Sequence, residues 1–425
     1  MNLSAIWSRI KQHPLSRVGP GLITGVADDD PSGIVTYSQA GAQFGLNMLW
    51  TMPFAYPLMS AIQVLCARIG RVTGRGLSAN MKLAFPPAIL ISLIFLLLIA
   101  NILNIAADIA AMGEVAQLVT GVNWHIMTSV FVLLTLSLQI FIPYRHYVFF
   151  LKWLSLSLLA YGAVLFTVHI PWGDVIWSTF FPQLVWNAES AAVVVGIFGT
   201  TISPYLFFWQ SSQEVEDMNL RSQKSLIQSH SGEDARVELR RIRWDTWSGM
   251  LYSNVAAYCI ILATAVTLHA AGITDINTAA EAASALRPLA GEFAFLLFAL
   301  GILGVGLMGV PVLAGSAAYA LSEMFGWRSS LEDSATQSSR FYAIIAFSVL
   351  VALVIQYSPI SPMKALFWSA VINGIVAVPL MVAIMVLSSK QSVMGPYIAS
   401  LSMRFLGWLA TGFMAAVATY LFIAW

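Results

Sequence analysis

The 425-residue chain is 58% hydrophobic and only 10% charged, whereas an ordinary soluble domain carries about 25% charged residues. Its mean hydropathy is +0.78 and its formal net charge is +1. These values exclude a soluble globular enzyme and a disordered chain, because both need far more polar surface. The near-neutral charge gives no indication of a nucleic-acid partner. We therefore interpret the chain as a polytopic, all-α membrane protein.

Eleven stretches are long and apolar enough to cross a bilayer, which requires about 20 mostly apolar residues. In chain order they are 19–44, 47–69, 88–116, 125–144, 147–170, 191–212, 246–269, 291–316, 340–358, 363–388 and 401–424. We expect residues 1–18 to form a cytoplasmic N-terminus without a cleavable signal peptide.

The basic residues predict the orientation of the chain. With the N-terminus in the cytoplasm, 19 of the 21 Lys and Arg residues lie on the cytoplasmic side, and only Arg287 and Lys364 lie outside, as expected from the excess of basic residues in cytoplasmic loops. An odd number of spans places the C-terminus outside. The longest hydrophilic stretch, 213–244, is expected to be a solvated cytoplasmic loop, with a segment that binds lipid headgroups as the alternative. The compact loops fit a bacterial inner membrane.

The first span is interrupted midway by the sequence Asp-Asp-Asp-Pro-Ser-Gly at Asp28–Gly33. Carboxylates within a span are costly and are functional candidates by default. Pro31 lacks an N–H and disfavours helical geometry at Asp30. We therefore predict two half-helices with a non-helical break, which is tolerated at this depth only where it lines a cavity or is buried in protein.

The sixth span contains a second interruption, Gly199–Tyr205, with hydroxyl residues before Pro204. The two breaks open two five-span sets, 19–170 and 191–388, and because five is odd the sets have opposite orientations. Interrupted helices in matching positions of two inverted halves indicate a binding site near the midplane. A simple proline kink is the alternative explanation for the second break.

Oxygen ligands dominate the predicted site. Backbone carbonyls freed at a helix break can coordinate a cation, and Asp30 adds a carboxylate, so the set suits a hard ion. Asp28 and Asp29 cannot point in the same direction as Asp30. Either they face an aqueous vestibule, or one of them is protonated, because adjacent carboxylates resist joint ionisation.

Two further spans carry buried polar candidates. Asn101, Asn104 and Asp108 follow helical spacing in the third span and form one polar stripe, which either lines an ion or proton path or makes a helix–helix hydrogen bond. Asn373 in the tenth span is a candidate for lining the site.

Nothing in the sequence favours an enzyme or a bound cofactor. The six histidines fall at span ends or in loops, and Cys66 and Cys259 lie in apolar runs. These residues do not form a zinc-ligand pattern, and no nucleophile–base pair is evident.

The ordered set of motifs resembles the NRAMP family of divalent-metal transporters, over spans 1 to 11. The motifs are Gly19-Pro20-Gly21, the break at Asp30-Pro31, Gln63 with Arg68-Ile69-Gly70-Arg71-Val72-Thr73-Gly74, Asp108, the Ser203-Pro204 break, and Asp245-Thr246 with Asn254. The resemblance implies the LeuT-type fold, with 11 transmembrane helices, two inverted five-helix repeats (spans 1–5 and 6–10), discontinuous helices 1 and 6, and an eleventh helix at 401–424.

The chain departs from the family at three motifs. The family's Asp-Pro-Gly-Asn is Asp30-Pro31-Ser32-Gly33 here, its Met-Pro-His is Ser203-Pro204-Tyr205, and the Glu three residues after Asp108 is Ala111. The resemblance implies metal ligands at Asp30, Gly33, Ser203 and the carbonyl of Thr200. The residues expected to line the site are Asp28, Asp29, Tyr205, Asn373 and Asp108.

Compared with the family motifs, this chain lacks the methionine thioether, the histidine imidazole and one glutamate. It has additional carboxylates at Asp28 and Asp29. Such a site suits Mg²⁺, which retains several waters and binds through one or two carboxylates. The chain therefore resembles the NRAMP-related magnesium transporters most, and we expect Mg²⁺ and Mn²⁺ uptake by alternating access without proton coupling. The alternatives are a proton-coupled Mn²⁺/Fe²⁺ transporter, a cation-coupled organic-solute symporter on the same fold, and a channel. Membrane lipid and the transported ion are the expected partners, and we expect a monomeric chain.

Overall fold

A computed structural model of the protein describes residues 20–142, 158–183, 185–220, 232–357 and 361–424. The described residues are almost entirely helical and include no strand. The α-helices are α1 (Pro20–Ala27), α2 (Pro31–Phe44), α3 (Thr51–Thr73), α4 (Leu77–Ala84), α5 (Pro87–Thr120), α6 (Trp124–Phe141), α7 (Leu159–Val164), α8 (Trp172–Phe180), α9 (Ala188–Thr201), α10 (Pro204–Leu220), α11 (Gly232–Thr264), α12 (Ala279–Ser284), α13 (Arg287–Ala290), α14 (Ala294–Phe325), α15 (Ser339–Ile355), α16 (Pro362–Ser389), α17 (Gln391–Met394) and α18 (Leu401–Ala424).

The predicted spans reappear as helices wherever the chain is described. Among the described residues, eight helices are long and apolar enough to cross a membrane, and they match the predicted spans 2, 3, 4, 6, 7, 8, 10 and 11. The ninth span is the shorter apolar helix α15. The first span is divided between α1 and α2. The fifth span, 147–170, lies partly outside the described residues, and only the short helix α7 and its flanking turns represent it.

Both predicted breaks are confirmed. Helix α1 ends at Ala27 and α2 begins at Pro31, with Asp30 as its N-cap. Helix α9 ends at Thr201 and α10 begins at Pro204. Proline is well suited to the first position of a helix, where its missing N–H would have no partner in any case. Each proline therefore starts the second half-helix after the break.

The hydrophilic stretch 213–244 is more helical than its composition predicted. Helix α10 continues to Leu220 and α11 already begins at Gly232, so a solvated loop can occupy only the residues between them, which lie outside the described part. The charges are compatible with helix because they pair with one another. Arg241 lies 2.9 Å from the buried Glu214 and 2.8 Å from Glu238.

Helix α11 packs closely along both halves of the first span. An added Cβ at Gly25 would lie 2.2 Å from the backbone carbonyl carbon of Gly249, and one at Gly41 would lie 2.3 Å from the carbonyl oxygen of Ile261. Only glycine allows backbones to approach this closely, as in the small-residue interfaces of membrane helices. This packing holds the first break against α11.

Four long helices surround the two breaks. Helix α5 packs against both α14 and α16, α11 packs against α1 and α2, and α9 packs against α16. The outward faces of the outer helices carry large apolar side chains. Examples are Leu133 on α6, Phe347 on α15 and Phe422 on α18, which are 66%, 56% and 69% exposed. Such faces suit contact with lipid, and they place the breaks in the interior of the bundle.

Candidate ion-binding site

Asp30 is the most completely bonded side chain at the first break. Its Oδ1 accepts hydrogen bonds from the Ser32 hydroxyl at 2.6 Å and the Gly33 backbone N–H at 2.9 Å. Its Oδ2 accepts from the Asn104 side-chain amide at 2.8 Å and the Tyr205 hydroxyl at 3.3 Å. The side chain is only 1% exposed. Because an ionised carboxylate has about four acceptor sites, these four donors can hold Asp30 as a buried anion.

The second break lies directly against the first. An added Cβ at Gly33 would lie 3.0 Å from Thr200 Oγ1, so a side chain at position 33 would crowd this contact. The buried Thr200 Oγ1 has no hydrogen-bond partner. Tyr205 donates to Asp30 or to the Ala27 carbonyl, 3.2 Å away. The structure therefore brings Asp30, Gly33, Thr200 and Tyr205 together, and their role as metal ligands stays a prediction.

Ser203 is turned toward its own helix. Its hydroxyl lies 2.6 Å from the Thr200 carbonyl oxygen and 3.1 Å from that of Gly199. The hydroxyl thus occupies one lone pair of the Thr200 carbonyl, the oxygen that the resemblance assigns to the metal. A carbonyl oxygen has two lone pairs, so the second one remains able to face an ion.

Asp28 and Asp29 face α11 rather than an aqueous vestibule. Both are fully buried, and the Ser253 hydroxyl lies 2.7 Å from Asp28 Oδ2 and 2.9 Å from Asp29 Oδ1. Of the two alternatives, the aqueous vestibule does not agree with this burial, and protonation of one carboxyl group stays a prediction. Their position follows from the close contact of α1 with α11. One hydroxyl proton cannot serve both carboxyl groups, and the other oxygen of each has no hydrogen-bond partner.

The polar stripe on α5 has two different roles. Asn101 donates to the Leu313 carbonyl at 3.0 Å and to the Ser316 hydroxyl at 2.7 Å, both on α14, which is the helix–helix hydrogen bond left open above. Asn104 instead contacts Asp30 and receives a hydrogen bond from Asn373, 3.4 Å away on α16. Asn373 therefore reaches the site through Asn104.

Asp108 lies close to Asp30 across Gly309. An added Cβ at Gly309 would lie 3.2 Å from Asp30 Cβ and 3.9 Å from Asp108 Oδ2. Asp108 is fully buried. Neither of its oxygens makes a hydrogen bond of normal geometry, and the backbone of Ser32 faces it. A second carboxyl group therefore flanks the site.

The donor set favours a hard ion that keeps part of its hydration shell. Within the described residues, no group of three or more His, Cys, Asp or Glu side chains is arranged to hold a metal. Asp30 and the nearby carbonyl and hydroxyl oxygens can supply only part of a coordination shell. Hard cations such as Mg²⁺ accept oxygen ligands and retain waters in such sites.

A vestibule of about 610 Å³ opens between α2, α9 and α16, and none of the site residues lines it. Its lining residues include Val35, Gln39, Val193, Lys364 and Phe367. Val35 lies about one helical turn beyond Pro31. The site residues themselves are buried, so the vestibule ends above an occluded site.

The opposite end of α1 is held closed. The Gly21 N–H donates to Asp245 Oδ2 at 2.8 Å, and the Thr24 hydroxyl donates to the Gln210 side chain. These contacts join α1 to α11 and α10 on the far side of the break from the vestibule. Opening a path on that side requires α1 to separate from both helices.

Sequence reasoning missed Ser253 and Ser369. Ser253 contacts Asp28 and Asp29, and the Ser369 hydroxyl donates to Asn104 Oδ1 at 2.8 Å. A serine in an apolar helix carries no signal of its own, because serine is common at helix–helix contacts in membranes. Only the placement of α11 and α16 against the breaks identifies these residues.

The sequence pattern of the family described as Natural resistance-associated macrophage protein-like (Nramp) matches residues 21–424. The chain belongs to the Nramp family. It is 24% identical over 425 residues to a divalent metal cation transporter MntH of Klebsiella pneumoniae subsp. pneumoniae, covering 96% of this chain and 94% of the relative. It is 25% identical to the MntH of Acidiphilium cryptum, covering 90% and 84%.

Solved structures show the same fold at lower identity. A crystal structure of the Eremococcus coleocola manganese transporter superposes with a TM-score of 0.72 at 16% identity, covering 94% of this chain and 85% of that one. Mhp1, a nucleobase-cation-symport-1 family transporter in a closed conformation, gives a TM-score of 0.55 at 13% identity, covering 95% and 92%. This Nramp protein therefore has the predicted LeuT-type fold.

We expect Ser253→Ala to destabilise the protein by about 1–3 kcal/mol, because the substitution leaves two buried carboxyl groups without their shared donor. The measurement is thermal unfolding in detergent. Ser348→Ala is the matched control, since Ser348 is buried in α15 and its hydroxyl has no partner. Equal melting temperatures for the two variants would contradict a stabilising role for the Ser253 contact.

Proposed function

We propose that the protein transports divalent metal cations across a membrane by alternating access, that Mg²⁺ is its preferred ion, and that Mn²⁺ is also accepted. The observation that carries this proposal is Asp30, a buried carboxylate at a helix break that faces a second break at Thr200. Its four hydrogen-bond donors are neutral groups, and a cation supplies the opposite charge that a buried carboxylate favours. The names of the MntH relatives and of the manganese transporter support a divalent ion.

Ligand chemistry supports Mg²⁺ over softer ions. Ser203 stands where the family has a methionine, so the position offers a hydroxyl in place of a thioether, and thioethers favour softer metals. Gly33 removes a side chain at the first break, although Thr200 Oγ1 lies close to it. We infer that the ion keeps waters in place of the lost protein ligands, as Mg²⁺ prefers.

The proposal includes transport without proton coupling. Tyr205 stands where the family has a histidine, and a phenol does not exchange protons near neutral pH as an imidazole does. Ala111 stands where the family has a glutamate. The membrane potential alone suffices for inward movement, because a divalent cation gains about 4.6 kcal/mol across 100 mV.

A proton-coupled Mn²⁺ transporter is the second candidate, and Asp108 is the observation that favours it. This carboxyl group is buried beside Asp30 with neither oxygen in a hydrogen bond of normal geometry, as expected of a group that exchanges a proton when the ion binds. The organic-solute alternative has less support, because Asp28, Asp29, Asp30 and Asp108 surround the site with carboxyl groups that disfavour an anionic substrate.

We further propose a bacterial inner-membrane location, with the N-terminus in the cytoplasm, the C-terminus outside and a monomeric chain. The asymmetry of the basic residues supports this orientation. In a cysteine-free background, a membrane-impermeant thiol reagent applied to intact cells should label Asn277→Cys and spare Gln391→Cys. The reverse pattern would contradict the orientation.

We expect Asp30→Asn to weaken Mg²⁺ and Mn²⁺ binding by at least about tenfold and to abolish uptake into proteoliposomes. Asparagine caps a helix about as well as aspartate, so the variant removes the negative charge and keeps the cap of α2. Binding is measured by calorimetry and uptake by a metal-sensitive dye, with Asp174→Asn, an exposed carboxylate on α8, as the control.

A pH-sensitive dye in the vesicle lumen distinguishes the two candidates. Mg²⁺ uptake driven by the potential, without lumenal acidification, supports the proposal. Acidification coupled to Mn²⁺ uptake, with Mg²⁺ excluded, would establish the second candidate. Uptake of neither ion by the wild type would overturn both.

A further inference from the structure

The two oxygens of Asp30 are held by different parts of the protein. Oδ1 is bonded by Ser32 and Gly33 in the first turn of α2, the helix that Asp30 caps. Oδ2 is bonded by Asn104 of α5 and Tyr205 of α10. The local contacts of Oδ1 persist as long as α2 stays capped, so Oδ2 is the oxygen that an ion can reach.

Asn104 is the stronger of the two competitors for Oδ2. Its amide nitrogen lies 2.8 Å from this oxygen, against 3.3 Å for the Tyr205 hydroxyl. Tyr205 can donate instead to the Ala27 carbonyl, so it can release Asp30 without losing its hydrogen bond. A cation bound to Oδ2 can use the lone pair that Tyr205 releases. It would still be repelled by the positively polarised N–H of Asn104 on the same oxygen, so ion binding opposes the Asn104 bond.

Helix α16 fixes the orientation of Asn104. The Ser369 hydroxyl donates to Asn104 Oδ1 at 2.8 Å, and the Asn373 amide does so at 3.4 Å. An ionised Asp30 only accepts hydrogen bonds, so the amide nitrogen of Asn104 must face it and the amide oxygen must face Ser369 and Asn373. The Ser369 hydroxyl shares its proton between Asn104 Oδ1 and the Leu366 carbonyl oxygen, each 2.8 Å away. Asn104 therefore cannot move away from Asp30 without changing its contacts with α16.

The same part of α16 forms a wall of the vestibule. Met363, Lys364, Phe367 and Trp368 line this cavity, and Ser369 follows Trp368 directly in the chain. A displacement of Asn104 therefore acts on the helix turn that borders the route to the site.

We propose that Asn104 is a latch that competes with the metal for Asp30 and couples metal binding to the position of α16. This inference rests on the proposed function, since it requires Asp30 to bind a divalent cation. In the empty protein Asn104 satisfies Asp30 and holds α16 beside the open vestibule. The arriving ion displaces Asn104 from Oδ2, and the change in its bonds to Ser369 and Asn373 releases α16 to close the vestibule. By linkage, the position of α16 alters metal affinity by the same factor.

Asn104→Leu tests the competition. The variant removes the Asn104 hydrogen bond to Asp30 that opposes ion binding. Mg²⁺ and Mn²⁺ should therefore bind about tenfold more tightly in calorimetry, the factor expected for one hydrogen bond to a charged group. Uptake into proteoliposomes should have a lower KM and a several-fold lower maximal rate, because ion binding no longer moves α16.

Asn101→Leu is the matched control. Asn101 lies one turn earlier on α5, is equally buried, and bonds to α14. The variant should lose stability to a similar extent and keep the wild-type metal affinity. Ser369→Ala removes a single oxygen and leaves Asn104 only the longer contact with α16, to Asn373 at 3.4 Å, while Asn104 still contacts Asp30. Its affinity should stay within about twofold of the wild type, and its uptake rate should fall.

Each result decides between the latch and its rivals. Weaker binding by Asn104→Leu would show that Asn104 orients Asp30 or binds the ion, and would overturn the latch. Equal affinities for Asn104→Leu and Asn101→Leu would also overturn it, as would unchanged uptake by Ser369→Ala. If the wild type binds neither Mg²⁺ nor Mn²⁺, the proposed function itself fails, an outcome that is distinct from a latch failure in a metal-binding protein.

Discussion

The capping of α2 by Asp30 is the interaction on which the rest of the site depends. A proline at position 31 forces a new helix to begin there, and Asp30 accepts a hydrogen bond from the backbone N–H of Gly33 in the first turn of that helix, as helix N-termini require. The same carboxylate is contacted by the Tyr205 hydroxyl at the second break. Asp30 thus caps a helix and places a negative charge midway through the bundle. Helices α1 and α9 end at the two breaks, and helix C-termini favour a cation.

The other features follow from the need to bury this charge. Glycines at positions 25 and 41 let α11 approach the first span closely, and Ser253 reaches Asp28 and Asp29 from that helix. Asn104 reaches Asp30 from α5 and is itself held by α16. The surrounding helices therefore bury the break, with the vestibule beyond one end of it and the contacts of Gly21 and Thr24 at the other. This arrangement suits a site that is reached from one side at a time.

The sequence predicted the fold and the breaks because each rests on a strong local constraint. Pro31 and Pro204 cannot continue a helix, and the apolar stretches have little choice of structure in a bilayer. Asn104 was predicted to belong to a polar stripe, but its contact with Asp30 was not predicted. Ser253 and Ser369 were missed, since they act through contacts between helices far apart in the chain. The helical extension into 213–244 was missed for the same reason, because the pairing of Arg241 with Glu214 is visible only in three dimensions. The orientation of Asp28 and Asp29 depended on which helix packs beside them.

The most direct test of the central claim is the position of a bound ion. Crystals grown with Mn²⁺ and measured at its absorption edge should show an anomalous peak within about 2.5 Å of Asp30 Oδ2, in the range of metal–oxygen bonds, near the Thr200 carbonyl. In the same map Asn104 should have moved away from Asp30. A peak elsewhere in the protein, with Asn104 still bonded to Asp30, would contradict the account.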